Sequence, residues 1–118
     1  MSRVTPNLIH KDLLASGRWF ALSLPEQLAN IGCDVGRCLQ WRAKGDVVAS
    51  QQAFYRVLEL IDFTSLDPKN RGRCKEILRA RECFADYIVG DNQYGFSDAA
   101  WNNYFYYFAY LVAARRGK

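Results

Sequence analysis

Apolar residues recur three and four positions apart along most of the chain, the spacing that places them on one face of an α-helix. Four such stripes are present, at residues 28–39, 54–61, 74–88 and 101–112. Each stripe indicates an amphipathic helix that buries its apolar face against a neighbour.

Capping residues and glycines indicate where these helices begin and end. Ser23 and Glu26 form a capping box, and Asp67 stands directly before a proline, which is pre-organised for the first helical turn. Glycine is favoured just past a helix end because the backbone there turns left-handed, and Gly45 and Gly90 follow two of the stripes. These signals predict four long helices, at about 24–44, 47–65, 68–89 and 98–115, after a shorter helix within 6–16.

The connections between the predicted helices are short, which favours antiparallel neighbours. We therefore expect an all-α fold, an antiparallel four-helix bundle with a short extra N-terminal helix, forming one domain over residues 1–118. The aromatic run 104–108 argues otherwise, because aromatic residues favour strands. The cap at Ser97 and the helical spacing that continues to Val112 outweigh that preference.

Composition indicates a cytoplasmic protein. The 118 residues are half apolar and carry a formal net charge of +4. We expect no membrane association, because there is no apolar stretch of signal-peptide length at the N-terminus and the longest charge-free segment, 99–114, is too short to cross a bilayer. In a reducing compartment four cysteines are expected to be free thiols: Cys33, Cys38, Cys74 and Cys83.

Candidate chemistry is sparse. None of the cysteines forms a C-x-x-C pair, and the single histidine, His10, lies far from them in sequence, so no metal site is expected. A histidine-based catalytic set would have to use that one residue, and no glycine-rich phosphate loop is present. The sequence therefore favours a protein that is not an enzyme and that holds no cofactor.

Two glycines, Gly32 and Gly36, lie one turn apart inside the first long helix. Glycine costs roughly 1 kcal/mol relative to alanine in a helix interior, so we expect a compensating contact. Close packing of a partner helix or of a large aromatic side chain against the bare backbone is the expected compensation, and a ligand-approach site is the alternative.

Arg81 falls inside the apolar stripe of the third long helix. An unpaired guanidinium is costly to bury, so its side chain must reach solvent or meet a carboxylate. Asp34 and Asp62 border other apolar stripes and are candidate partners for a buried ion pair. A boundary residue that extends into water is the ordinary alternative, and a functional anion site is the other.

Basic residues are concentrated in the third helix and the C-terminal tail. Six belong to this group: Arg71, Arg73, Lys75, Arg79, Arg115 and Arg116. Three of them are spaced four apart and would form one row along a helix. Such a row can bind anions and nucleic-acid phosphates. A solvated helix face with salt bridges and a surface for an acidic protein partner are the other interpretations.

The last predicted helix is apolar on two sides. Its inward stripe accounts for one face, and a second uncharged face lies nearly opposite, formed by Asn103, Tyr106, Tyr107, Tyr110, Ala113 and Ala114. A helix that is apolar all round is normally buried all round, whereas a small bundle covers only one side of each helix. A second copy of the chain, in a two-fold dimer, is the expected cover. The N-terminal segment 8–20 is the alternative, and a different protein partner is the third.

Residues 23–32, SLPEQLANIG, and 90–95, GDNQYG, resemble those of a family of small uncharacterised bacterial proteins. The resemblance covers roughly residues 19–112 and implies a bacterial origin without any particular activity. The function that the sequence favours is a self-associating, non-enzymatic protein-interaction domain. The alternatives are a nucleic-acid-binding helical module that uses the third helix and the tail, and a small-molecule binder or enzyme with an aromatic pocket.

Overall fold

The computed structural model describes residues 16–116, and this part of the chain is all-helical, without a β-strand. A short helix, α1, covers Arg18–Ala21. The longer elements are α2 at Leu24–Ala43, α3 at Val47–Leu66, a 3₁₀-helix at Pro68–Arg73, α4 at Cys74–Val89 and α5 at Asp98–Arg116. The all-α fold class is confirmed, while the short helix predicted within 6–16 lies outside the described residues. No helix in the described range is both long and apolar enough to cross a membrane.

Helix α2 lies between two neighbours, because it packs along α3 on one side and along α5 on another. Ile31, Val35 and Val57 are completely buried in the core that α2 and α3 contribute to. Helix α3 in turn packs against α4. Helices α4 and α5 meet mainly through large side chains, such as Phe84 and Trp101, whose ring centroids lie 5.2 Å apart.

Helix α2 begins at the predicted capping box. Ser23 Oγ accepts a hydrogen bond from the Glu26 backbone N–H at 3.3 Å, and Glu26 Oε1 accepts one from the Ser23 N–H at 2.8 Å. These two bonds satisfy donors that a helix start otherwise leaves unpaired. Past the other end of α2, Gly45 adopts a φ of 81°, a left-handed conformation that glycine takes without strain.

We expect Ser23→Ala to lower the free energy of unfolding by about 0.5–2 kcal/mol, because the helix start loses its side-chain cap. Urea denaturation followed by circular dichroism measures the change. Ser23→Asp keeps a capping oxygen and is the matched control, expected within about 0.5 kcal/mol of the wild type. An unchanged midpoint for Ser23→Ala would show that the capping box does not stabilise α2.

The single α-helix predicted over 68–89 is wrong in its first six residues, which wind as the 3₁₀-helix before α4 begins at Cys74. Asn70 gives the physical reason. Its side-chain Nδ2 donates to Gln27 Oε1 at 2.8 Å and to the Thr64 carbonyl at 3.0 Å, which holds this turn against α2 and α3. Gly72 adds little preference for an α-helix in the same turn.

Asn70 belongs to a buried polar network that joins α1, α2, α3 and the 3₁₀-helix. Gln27 Nε2 donates to Asp67 Oδ2 at 2.8 Å and to the Trp19 carbonyl at 3.0 Å. Trp19 Nε1 donates to Thr64 Oγ1 at 3.0 Å. Because these buried polar groups are hydrogen-bonded to one another, the network fixes how the four elements meet.

Asp67 is the carboxylate of this network, and it also accepts hydrogen bonds from the backbone N–H and the ammonium of Lys69. Burial alone would raise the pKa of Asp67, but the hydrogen bonds from Lys69 and Gln27 outweigh burial and hold that pKa below its ordinary value of 3.8. The carboxylate is therefore ionised at neutral pH, where its bonds to the network are strongest.

Candidate functional site

Helix α5 turns one face to the core and the opposite face to solvent. Trp101 and Phe105 are buried, whereas Tyr106 is 70% exposed, Tyr107 55% and Tyr110 60%. The name outer face of α5 is used below for the exposed surface formed by Asn103, Tyr106, Tyr107, Tyr110, Ala113 and Ala114. The structure thus places the whole predicted oligomer surface on one solvent-facing side of the helix.

The contact between Gly32 and Phe105 sets the rotation of α5 about its own axis. A Cβ atom at Gly32 would lie 2.6 Å from the Cβ of Phe105, so the aromatic residue lies directly over the bare glycine backbone. With Phe105 fixed there, helical geometry turns Tyr106 and Tyr110 away from α2. The absent side chain at Gly32 therefore helps to determine which residues α5 exposes.

Gly36 does not have the close contact expected for it. The nearest atom that an added Cβ would meet is Asn102 Oδ1, at 4.0 Å, which leaves room for a methyl group. Close packing between α2 and α5 is thus tightest at Gly32 and is looser one turn further along. The prediction of a shared packing role for both glycines is wrong at Gly36.

A groove of about 340 Å³ lies between α2 and α5 and meets the outer face at Ala113. Its lining includes small side chains from both helices: Ala29 and Cys33 from α2, and Ala109 and Ala113 from α5. Small residues allow another helix to approach closely at this point, and Glu26 and Asn30 add polar groups to the same lining.

Arg81 pairs with Asp62 across α3 and α4. Arg81 Nε donates to Asp62 Oδ1 at 2.8 Å, and the Arg81 guanidinium also reaches Oδ2 at 3.4 Å. The two side chains are 36% and 48% exposed, so the predicted buried ion pair is wrong in its burial. Asp34 is wrong as a partner, because it bonds instead to Arg37, three residues along α2, at 2.7 Å. Exposed pairs of this kind contribute about 0–1 kcal/mol.

The predicted basic row does not form along one helix. Arg71 and Arg73 lie on the 3₁₀-helix, and only Lys75 and Arg79 lie on α4, so the four-residue spacing no longer places them on one α-helical face. Arg73 pairs with Glu76 at 3.0 Å. The Arg79 guanidinium lies over the Tyr94 ring, 6.0 Å from its centroid.

In the tail, Arg115 lines a groove with Ser23, Glu26 and Val112. The side chain of Arg116 lies outside the described part of the structure. The anion- and nucleic-acid-binding interpretation of the six basic residues stays a prediction.

The cysteines differ in accessibility. Cys33 is exposed and Cys74 is half-buried, whereas Cys38 and Cys83 are buried, and all four are free thiols. Burial raises the pKa of both buried thiols. Within residues 16–116, no cluster of three or more histidine, cysteine or acidic side chains is arranged to hold a metal ion.

We expect Cys33 to react first with dithionitrobenzoate and the two buried cysteines at least about tenfold more slowly, because the thiolate is the reactive form and burial hinders it. Stopped-flow absorbance on the native protein measures the rates of the thiol reactions, and Cys33→Ser identifies the fast phase. Unfolding without reductant should release four reactive thiols. Two or fewer would contradict the free-thiol assignment.

No family model, curated protein or solved structure matches the chain. The resemblance of residues 23–32 and 90–95 to a bacterial family therefore stays a prediction.

Proposed function

We propose that this chain is a non-enzymatic interaction protein that forms a two-fold dimer through the outer face of α5. The exposure of three tyrosines on one uncharged helix face is the observation that carries the proposal. A contiguous apolar surface of this kind is typical of an interaction site. Tyrosine suits it, since the ring packs against a partner while the hydroxyl group stays hydrated at the edge.

The chemistry of this face favours a second copy of the same chain as the partner. Residues 99–114 carry no charge, so the face has no charge pattern that would select an acidic or a basic protein. In a two-fold interface the same surface meets itself, and a face without charges does so without like-charge repulsion. Two antiparallel α5 helices would also oppose their dipoles and bring the Asp98 end of one near the Arg115 end of the other.

The proposed dimer builds on an antiparallel four-helix bundle in each copy. Gly32 lies against Phe105, and a Cβ added at Gly36 would come nearest to Asn102 of α5. This reversed order of contacts supports opposite directions for α2 and α5. The proposal includes a cytoplasmic location, which the four free cysteines support, because such thiols persist in a reducing compartment.

Sedimentation velocity of charged variants tests the proposed interface. Tyr106→Glu combined with Tyr110→Glu should weaken the dimer at least about tenfold, because glutamates from both copies would meet in an apolar contact. Tyr55→Glu is the matched control, since Tyr55 is 51% exposed on α3, and it should leave association unchanged. Equal association of the double variant and the wild type would contradict this interface, whereas equal weakening by the control would show that the effect is not specific to α5.

A further inference from the structure

The outer face of α5 is small for a dimer interface. Its three tyrosines are each between 55% and 70% exposed. Because a large aromatic side chain buries at most about 250 Å², the three together offer roughly 450 Å². A stable interface buries about 800 Å² on each partner, and the remaining members of the face, Asn103 and two alanines, add only small side chains. A second copy that binds this face therefore needs contact with the surface beside α5 as well.

The surface beside α5 differs between its two sides. On the α2 side, the groove of about 340 Å³ and a second groove of about 580 Å³ share Cys33 in their linings, and together they form the α2–α5 furrow. Glu26 lines one end of this furrow and Asp98 the other, while Arg37 is already paired with Asp34. On the α4 side there is only a cleft of about 210 Å³, which is lined in part by a glutamate and an arginine. The α2 side therefore offers the larger concave surface next to the tyrosines.

The α2–α5 furrow and the exposed tyrosines complement each other in shape and chemistry. Ala29, Ala109 and Ala113 line the furrow with small side chains, which leave room for an aromatic ring. Asn30 is exposed at the same place, and its side chain offers a hydrogen-bonding group to a tyrosine hydroxyl. Since a two-fold interface pairs a surface with itself, it needs a ridge and a furrow on the same side of one chain. The side of the protein formed by α2 and α5 carries both.

We propose that the α2–α5 furrow receives the exposed tyrosines of a second copy of the chain, so that α2 belongs to the dimer interface together with α5. This inference rests on the proposed dimer and makes its interface a packing of four helices, two from each copy. Cys33 lines the furrow and is exposed in the single chain. A second copy seated there covers the thiol, so association controls the access of reagents to Cys33.

Labelling of the native protein with brief pulses of iodoacetamide tests this interface, at chain concentrations of about 1–100 μM. Peptide mass spectrometry measures the labelling rate of each cysteine. The rate at Cys33 should fall in proportion to the monomer fraction that sedimentation gives, because only the single chain exposes this thiol. Cys74, half-buried on α4, is the internal control, and its rate should not depend on concentration. In Tyr106→Glu combined with Tyr110→Glu, the rate at Cys33 should be independent of concentration as well.

A charged variant within the furrow completes the experiment. Cys33→Glu should weaken the dimer at least about tenfold, because a carboxylate would have to leave water in the covered furrow. Gln52→Glu places the same charge at an exposed position of α3 and should leave association unchanged. A wild-type dimer whose Cys33 reacts as fast as in the monomer, or an unweakened dimer of Cys33→Glu, would overturn the role of α2 and leave the α5 dimer standing. A wild type that stays monomeric would overturn both.

Discussion

Asp67→Ala is expected to lower the free energy of unfolding by about 2–4 kcal/mol at pH 7. The carboxylate is 4% exposed and accepts hydrogen bonds from Gln27 and from Lys69. Removing it leaves the Gln27 amide with one buried N–H unpaired, and a lost bond to a charged acceptor costs about 1.5–3 kcal/mol. The 3₁₀-helix also loses its N-terminal cap, which adds about 1 kcal/mol. Lys69 is 39% exposed and can turn to water, which limits the loss.

Asp46→Ala is the matched control, because Asp46 caps α3 through the Ala49 N–H in an exposed position, outside the buried network. It should cost about 1 kcal/mol, the effect of a cap alone. Urea denaturation measures the loss of unfolding free energy in both variants, and the difference between the two losses is the contribution of the buried network. Equal losses for the two would contradict the role given to Asp67.

The stabilisation that Asp67 provides should decrease as the pH falls. Its folded-state pKa lies below 3.8, the ordinary value that applies to the unfolded chain. The stabilisation is therefore complete well above that value and is lost as the pH falls through the folded-state pKa. The stability gap between the wild type and Asp67→Ala should narrow progressively below about pH 4.

Gly32→Ala is expected to lower the free energy of unfolding by about 1–3 kcal/mol, the usual cost of overpacking a core. The added methyl group would meet the Cβ of Phe105 at 2.6 Å, and a Cβ atom cannot move without its helix. Helices α2 and α5 must therefore separate, which outweighs the roughly 1 kcal/mol that alanine gains over glycine in a helix.

Gly36→Ala makes the same chemical change one turn away and should have the opposite sign. Its nearest neighbour would be Asn102 Oδ1 at 4.0 Å, so the helix preference of alanine should raise stability by up to about 1 kcal/mol. Thermal unfolding of the two variants measures the change in stability at each position. A loss of stability at Gly36 equal to that at Gly32 would show that the helices are packed equally tightly at both positions.

Helix ends could be predicted where the signal lies within one turn. Ser23 and Asp46 cap the helices that follow them through backbone groups three residues away. The start of α4 could not be predicted in this way, because Asn70 holds the 3₁₀-helix through Gln27, which is 43 residues distant in sequence. A polar residue beside an apolar stripe, such as Gln27, was the available signal for the buried network.

The candidate sites, too, could be predicted only where the signal lies within a single helix. Rotation of 100° per residue was enough to place Tyr106 and Tyr110 on the exposed side of α5, because that inference concerns a single helix. Periodicity does not say which neighbour a residue meets, so it could not choose between Asp34 and Asp62 as the partner of Arg81. The position of Phe96, which stacks on Trp101, could not be predicted either, because it is set by a loop that carries no periodic pattern.

Sedimentation equilibrium of the wild-type chain at about 1–100 μM tests the proposed self-association most directly, over the affinity range expected of a specific dimer. The weight-average mass should rise with concentration toward twice the 13.6 kDa of one chain, and a monomer–dimer equilibrium should fit the data. A mass that stays at 13.6 kDa across the whole range would contradict the proposed self-association.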